Sequence, residues 1–479
     1  MLTISRGSFR TCNGIQRRRL LQIGGAGLAG LTLPQMLAAE SQADAQRPRR
    51  AKSVIFLFLF GGPSQLETFD MKPDAPAEIR GPFKPIASRT SGLRICEHLP
   101  ELAKVSDRFS VIKTMSHHYN DHSGGAHFVQ TGRPWHVPIG GGFNVTPNDW
   151  PAMGSIVKYF ESQAAGVSDV PPYMVTPNFL GRLQDYKVQL RRPGETAGWL
   201  GRPYDPLTTR IDKRDAKDNP YFRSCTDAEL VFQIEGLGKR ADLSLQRVVA
   251  RRSLLGQLDE ARRLLDTSGS IEAYDEFRQQ AMALVASPTT RDALDVRREP
   301  DALRDRYGRS LFGQSTLVAR RLVEAGVRFV TVHYDAVDGY SWDSHRNSDD
   351  VKRHLLPSFD QALAALLVDL EERGMLEETL VVAMGEMGRT PKANQAWGRN
   401  HWSTLFPAVL AGAGVAGGCI HGETDRQAAY ATTTPVRPQD LSATIFEALG
   451  VDPRARVRDH LGRPHPIAAD GKVLHHLFG

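Results

Sequence analysis

Ser53-Val-Ile-Phe-Leu-Phe-Leu-Phe60 is an almost unbroken apolar run that stops at Gly61-Gly62-Pro63. A run this long, rich in β-branched and aromatic residues and closed by glycines, predicts a central parallel strand buried on both faces. Comparable runs recur at Val327–His333, Thr379–Met384 and Phe406–Ala411. Between the first two of these, Leu356, Phe359, Leu363, Leu366, Leu367 and Leu370 follow the spacing of an amphipathic helix over Leu355–Arg373, ended by Gly374. Strand, helix, strand in that order is a parallel crossover, so the fold class is α/β with a mostly parallel central sheet. A closing helix is expected over Asp440–Leu449, capped by Asp440 and stopped by Gly450. The middle of the chain differs. Residues 135–220 are rich in Gly, Pro and Asn, and residues 240–325 read as mostly helical. The expectation is one α/β domain over 50–479, with a loop-rich and helical insertion at 135–325.

Composition changes this picture little, but the distribution of charge changes it considerably. Of 479 residues, 41% are hydrophobic and 24% charged, which are ordinary globular values and exclude global disorder. The formal charge is +6, yet residues 1–50 alone hold eight arginines and two acids, leaving 52 basic and 52 acidic residues beyond them. A neutral domain offers no basic face for sequence-independent phosphate binding, so nucleic acid is not an expected partner.

The basic stretch reads as an address. Arg17-Arg18-Arg19-Leu20-Leu21 precedes the glycine-rich, weakly apolar stretch Ile23–Leu33, too short to span a bilayer. It resembles a twin-arginine export signal, with small residues for cleavage near Ala43–Ala45. The expectation is a signal peptide over 1–45, the twin-arginine translocase as partner during export, and a periplasmic or extracytoplasmic destination. No later segment has the 18 uninterrupted apolar residues of a membrane span. Cleavage would leave Cys96, Cys225 and Cys419, too few and too widely spaced for a disulfide framework or a cysteine metal site.

In open parallel sheets, chemistry collects beyond the carboxyl ends of the strands, and four polar clusters fall at such ends. The first strand is followed by Ser64, Glu67 and Asp70. Residues 117–136 hold five of the 15 histidines, His117, His118, His122, His127 and His136, with Asp121 able to orient an imidazole. His118 and His122 would share a helix face. Asp343-Ser-His345 forms a two-ligand clamp after another strand, close to His333 and Asp335. Glu386 lies just beyond a buried strand, where a carboxylate is costly unless it meets a cation. Arg389 and Arg399 are available to an anionic substrate, and His401 precedes the next strand. Carboxylates and histidines from distant segments, brought to one sheet edge, are the donor set of a mixed nitrogen and oxygen metal site of zinc or manganese type, with one or two ions.

The motifs Gly61-Gly-Pro-Ser64, Thr68-Phe-Asp-Met-Lys-Pro73, Trp342-Asp-Ser-His345, Gly385-Glu-Met-Gly-Arg-Thr-Pro391, Gly398-Arg-Asn-His-Trp402 and Gly412-Ala-Gly-Val415 resemble the domain-of-unknown-function family fifteen-oh-one. That family lies within the alkaline phosphatase and sulfatase superfamily. The resemblance implies an alkaline phosphatase-like sheet flanked by helices and a site of Asp and His metal ligands, where a nucleophile attacks phosphorus or sulfur. It places Asp343, His345 and His401 as ligands, with Glu386 where the superfamily has Asp-His-Gly and Met387 in place of its histidine. Matching Asp121 and Gly132 sets His122 at the nucleophile's position and Ser123 one step later. The first strand ends in Gly-Gly where the superfamily has an Asp ligand, and no formylglycine motif is present.

Together these expectations are a metal-dependent hydrolase of phosphate or sulfate esters, small anionic molecules or polysaccharides. Asp343, His345, Glu386 and His401 would bind metal, joined by His127 and Asp70; Ser123, His122 and Asp121 would be catalytic; Arg389, Asn400 and Ser64 would contact substrate. The alternative is a non-catalytic exported binding or assembly protein that keeps the fold.

Overall fold

Seven of nine strands run in the same direction through one continuous sheet, and this direction decides which loops can meet. The computed structural model describes residues 49–163, 170–184, 190–234, 287–337 and 341–479. The expected signal peptide, and residues 240–286 of the helical stretch expected over 240–325, lie outside the described residues.

The sheet strands are β1 (Ser53–Leu59), β2 (Phe109–Met115), β3 (Tyr173–Thr176), β4 (Leu207–Arg210), β5 (Gln233–Ile234), β6 (Phe329–Tyr334), β7 (Thr379–Met384), β8 (Phe406–Ala411) and β9 (Ile420–His421). Their order is β9-β2-β8-β7-β1-β6-β3-β4-β5. β1 lies between β6 and β7 and is parallel to both, so Leu355–Arg373 does belong to a parallel crossover. β8 is antiparallel to its neighbours β7 and β2, and β5 is antiparallel to β4.

The continuous apolar run of β1 serves both faces. Ile55, Leu57 and Leu59 enter one core and Val54, Phe56 and Phe58 the other. Five helices cover these cores: α1 (His122–Thr131), α2 (Met153–Gln163), α3 (Leu311–Glu324), α4 (Leu356–Glu372) and α5 (Pro438–Ala448). α3 and α4 bury Leu317, Leu322, Leu363 and Leu367 on the first face, and α1, α2 and α5 bury Val129, Ile156 and Ile445 on the second. The result is a three-layer α/β/α stack, the architecture the family resemblance implied.

Three expectations need correction. The stretch read as an insertion supplies β3, β4 and β5 to the main sheet; four residues or fewer per strand is too short for periodicity to register. β2 was missed because Ser110, Lys113 and Thr114 interrupt its apolar pattern. Asp440 does not precede α5 but sits in its first turn. There its carboxylate accepts the Arg437 N–H at 3.0 Å, and Pro438, whose φ is pre-set for a helix, opens the element. Cys96, Cys225 and Cys419 are all unpaired.

The carboxyl end of β1 closes tightly on its neighbours. Gly61 has φ +113°, and a Cβ there would lie 2.5 Å from the Asp343 backbone nitrogen; at Gly62, φ +77°, it would lie 2.5 Å from the Met387 carbonyl oxygen. The glycine pair thus brings three segments into backbone contact. Gly61→Ala combines positive-φ strain with a backbone clash, and is expected to cost about 3 kcal/mol, read as a lowered urea midpoint at unchanged m.

Candidate metal centre

Because β8 runs against β7, the segment before β8 starts at the same edge where β1, β2, β6 and β7 end. His122 opens α1, the helix that follows β2, Asp343 and His345 come from the loop after β6, and His401 from the short ribbon pairing Gly388–Arg389 with His401–Trp402. One ligand atom from each of these four residues lies within 4.8 Å of all the others. Asp343 Oδ1 is the common point: His122 Nε2 is 3.1 Å away, His345 Nε2 2.9 Å and His401 Nε2 3.2 Å.

The opposite nitrogen of each imidazole is fixed. His122 Nδ1 meets Glu386 Oε1, His345 Nδ1 donates to Asn400 Oδ1 at 2.9 Å, and His401 Nδ1 donates to the Asn120 carbonyl at 3.0 Å. With Nδ1–H committed outward, each Nε2 of a neutral ring turns a lone pair toward the shared centre. His345 Nε2 and His401 Nε2 are 2.9 Å apart. His122 Nε2 is buried, close to Asp343 but without a hydrogen-bond partner. Lone pairs converging on one point are repulsive unless a proton or cation occupies it, so these residues fit a divalent metal ion. All four ligand residues are only partly buried.

Electrostatics agree with the geometry. Burial works against the imidazolium of His122, but Asp343 and Glu386 outweigh it and raise its pKa from 6.5 to about 9. Burial would raise the Asp343 carboxyl, yet the surrounding imidazoles, His122 first, hold it far below the usual carboxylate range. In the metal-free protein, protonated His122 therefore stabilises the fold fully below pH 6.5, and this contribution is lost as pH rises through about 9. A metal ion needs the neutral ring. Its affinity is expected to climb with pH over that window and level off above about 9. Chelator competition across pH, with calorimetry to count protons released, checks this.

The remaining candidate residues divide by position. Glu386 is not in the group of four: its carboxylate accepts the Gly61 N–H at 2.9 and 3.1 Å and holds His122, so it orients a ligand. Asp121 caps α1, accepting the Gly124 N–H at 2.9 Å, and thereby fixes where His122 leaves the loop. His118 lies before that helix, so the expected shared face with His122 does not form. Ser123 is fully buried, donating to the Phe143 carbonyl at 3.2 Å and accepting from Arg192 at 3.1 Å. His127 points into the protein, where its ring nitrogens meet the Arg133 carbonyl at 3.0 Å and the Trp150 N–H at 3.1 Å; burial lowers its pKa to about 3. Asp70 is drawn away by Lys72 and Lys113 at 3.1 and 3.2 Å and by the Thr424 hydroxyl. Ser64 is buried with its hydroxyl unpartnered. Asn400 orients His345 through its side-chain oxygen.

Both arginines expected at the substrate are buried in structural roles. Arg389 contacts Asp343 Oδ1 at 2.7 Å and the carbonyls of Gly61, Gly62 and Arg399. Arg399 pairs with Glu67 at 3.0 Å and also meets the carbonyls of Ile79, Thr390 and Pro391. Asn120 is the residue the sequence left unmarked. Its carbonyl holds His401 and its side-chain oxygen accepts the Ser403 N–H at 3.0 Å. Its place two residues before His122, inside the histidine-rich stretch, was the available signal.

Similar solved structures include the phosphonate monoester hydrolase SpPMH from Silicibacter pomeroyi, 13% identical over 89% of this chain and 76% of that one, with a TM-score of 0.37. The PsFucS1 sulfatase from Pseudoalteromonas sp. is 13% identical over 88% and 72%, with a TM-score of 0.35. The alkaline phosphatase from the Antarctic bacterium TAB5 is 13% identical over 83% and 98%, with a TM-score of 0.33. No curated protein matches the chain. The model of a family described as "Protein of unknown function (DUF1501)" matches residues 51–478. The chain belongs to that family, the one its strand-end motifs resemble.

Proposed function

We propose that the protein is an exported, metal-dependent hydrolase of phosphate or sulfate esters, acting on anionic small molecules or polysaccharides. The observation that carries this reading is the convergence of three Nε2 atoms and one carboxylate oxygen from four residues that are only partly buried. Structural sets are closed and covered, whereas ligands that keep partial exposure suit a centre a reactant can reach. Three imidazoles and one carboxylate suit zinc or manganese. Bound there, the ion supplies Lewis-acid polarisation of an ester oxygen and a nucleophile derived from water. Asp343 and the three histidines would hold it. Glu386, Asn400 and the Asn120 carbonyl fix the rings so that no reorientation is needed during reaction. Ser123, covered and hydrogen-bonded on both sides, is not positioned to attack, which favours water over a serine nucleophile.

That same burial of Ser123, with Arg389 and Arg399 both committed, favours a second reading, a non-catalytic binding protein with a metal. One preparation separates the two: the mature chain analysed for metal by mass spectrometry and assayed on aryl phosphates and sulfates beside His401→Ala. Turnover lost in the variant supports hydrolysis; metal without turnover supports the binding protein; neither metal nor turnover overturns the first reading. Export through the twin-arginine route predicts that replacing Arg18 and Arg19 by lysine retains the precursor inside the cell, checked by fractionation.

A further inference from the structure

Arg389 is fully buried, and its position is unusual for an arginine beside a metal centre. Its Nη2 lies 2.7 Å from Asp343 Oδ1, the same oxygen that the three histidines face. Its other contacts are main-chain carbonyls: Gly61 to Nη2, Gly62 to Nε at 3.0 Å and Arg399 to Nη1 at 3.3 Å. A carboxylate oxygen and three carbonyl oxygens are an all-oxygen set that suits a hard divalent cation, and here a guanidinium fills it. Two further acids expected at this edge as ligands are already engaged elsewhere. Glu386 is spent on Gly61 and His122, and Asp70 on Lys72 and Lys113.

We infer that the centre takes a single divalent ion, and that the Arg389 guanidinium is its built-in second cation, pinning Asp343 against the end of β1 and occupying the space a second ion would need. This rests on the metal reading above. Arg389 is thus a positioning residue, acting through Asp343 and not on a substrate. A carboxylate already accepting from a guanidinium has one oxygen held in place before the ion arrives, and its charge is shared between two cations.

The test is metal stoichiometry. The full mature chain, stripped by chelation and reloaded separately with zinc, manganese and magnesium, is measured for ions per chain by mass spectrometry and for affinity by chelator competition. The wild type and Arg389→Lys are expected to hold one ion. Arg389→Ala, which vacates the oxygen-lined space, is expected to take up a second, with added guanidinium ion suppressing that uptake. Two ions in the wild type would overturn the inference while leaving the metal centre standing, as would a folded Arg389→Ala that still holds one. An ion-free wild type would sink both. If Arg389→Ala does not fold, the wild-type and Arg389→Lys stoichiometries still decide the question.

Discussion

Asp343→Asn is expected to strip the protein of its ion and of any ester hydrolysis, with the fold retained. The substitution keeps an oxygen that Arg389 can donate to and removes the negative charge toward which His122, His345 and His401 converge. Loss of an outer partner that merely orients a metal ligand costs about 10–100-fold in affinity or activity. Asn400→Ala and Glu386→Gln are expected in that range, because each leaves its histidine in place but free to turn. Asp343→Asn should exceed it clearly, because it removes the centre's one carboxylate ligand. Metal content by mass spectrometry, chelator competition and turnover of aryl esters give three independent readouts. An ion held at wild-type affinity by Asp343→Asn would show that the group of four is not the metal centre.

Glu67→Ala is expected to be the most destabilising single change near the site, at about 3–5 kcal/mol. Glu67 and Arg399 are both buried, 3.0 Å apart, and truncating the acid strands a guanidinium where water cannot reach it. The Arg399 contacts to the Ile79, Thr390 and Pro391 carbonyls would remain, but these supply no compensating charge. Asn400 and His401 follow directly in the chain, so metal affinity should fall along with stability. Glu67→Gln preserves an acceptor for Arg399 and should fall between the two. Urea midpoints at constant m measure the effect; a change below about 1 kcal/mol would mean the pair is screened after all.

How much of this could be read from the sequence depended on how far each signal extends along the chain. β1, β6, β7 and β8 each carry an apolar run long enough to mark a strand, and the polar residues just beyond three of them and just before the fourth indicated where chemistry gathers. Two segments expected at that edge, one after β6 and one before β8, located Asp343, His345 and His401. The histidine-rich stretch was harder. Which of its five rings meets the centre is set by where α1 begins, and that depends on Asp121 capping the helix at His122. His127, five positions on, is turned about 140° around the helix and faces Trp150 instead. The functions assigned to Arg389, Arg399 and Ser123 were displaced for a different reason. Each is consumed by main-chain or side-chain partners from remote segments, and such partners leave no local pattern. A buried arginine among carbonyls looks, in sequence, like any arginine in a glycine-rich loop.

The three unpaired cysteines have a consequence for the order of events in the cell. No covalent cross-link holds the described fold together, so its formation requires no oxidant, and reductant should leave its melting temperature unchanged. The sheet, and the metal centre at its edge, can therefore be complete in a reducing compartment. Metal choice would then be governed by whichever ions are available where the chain folds.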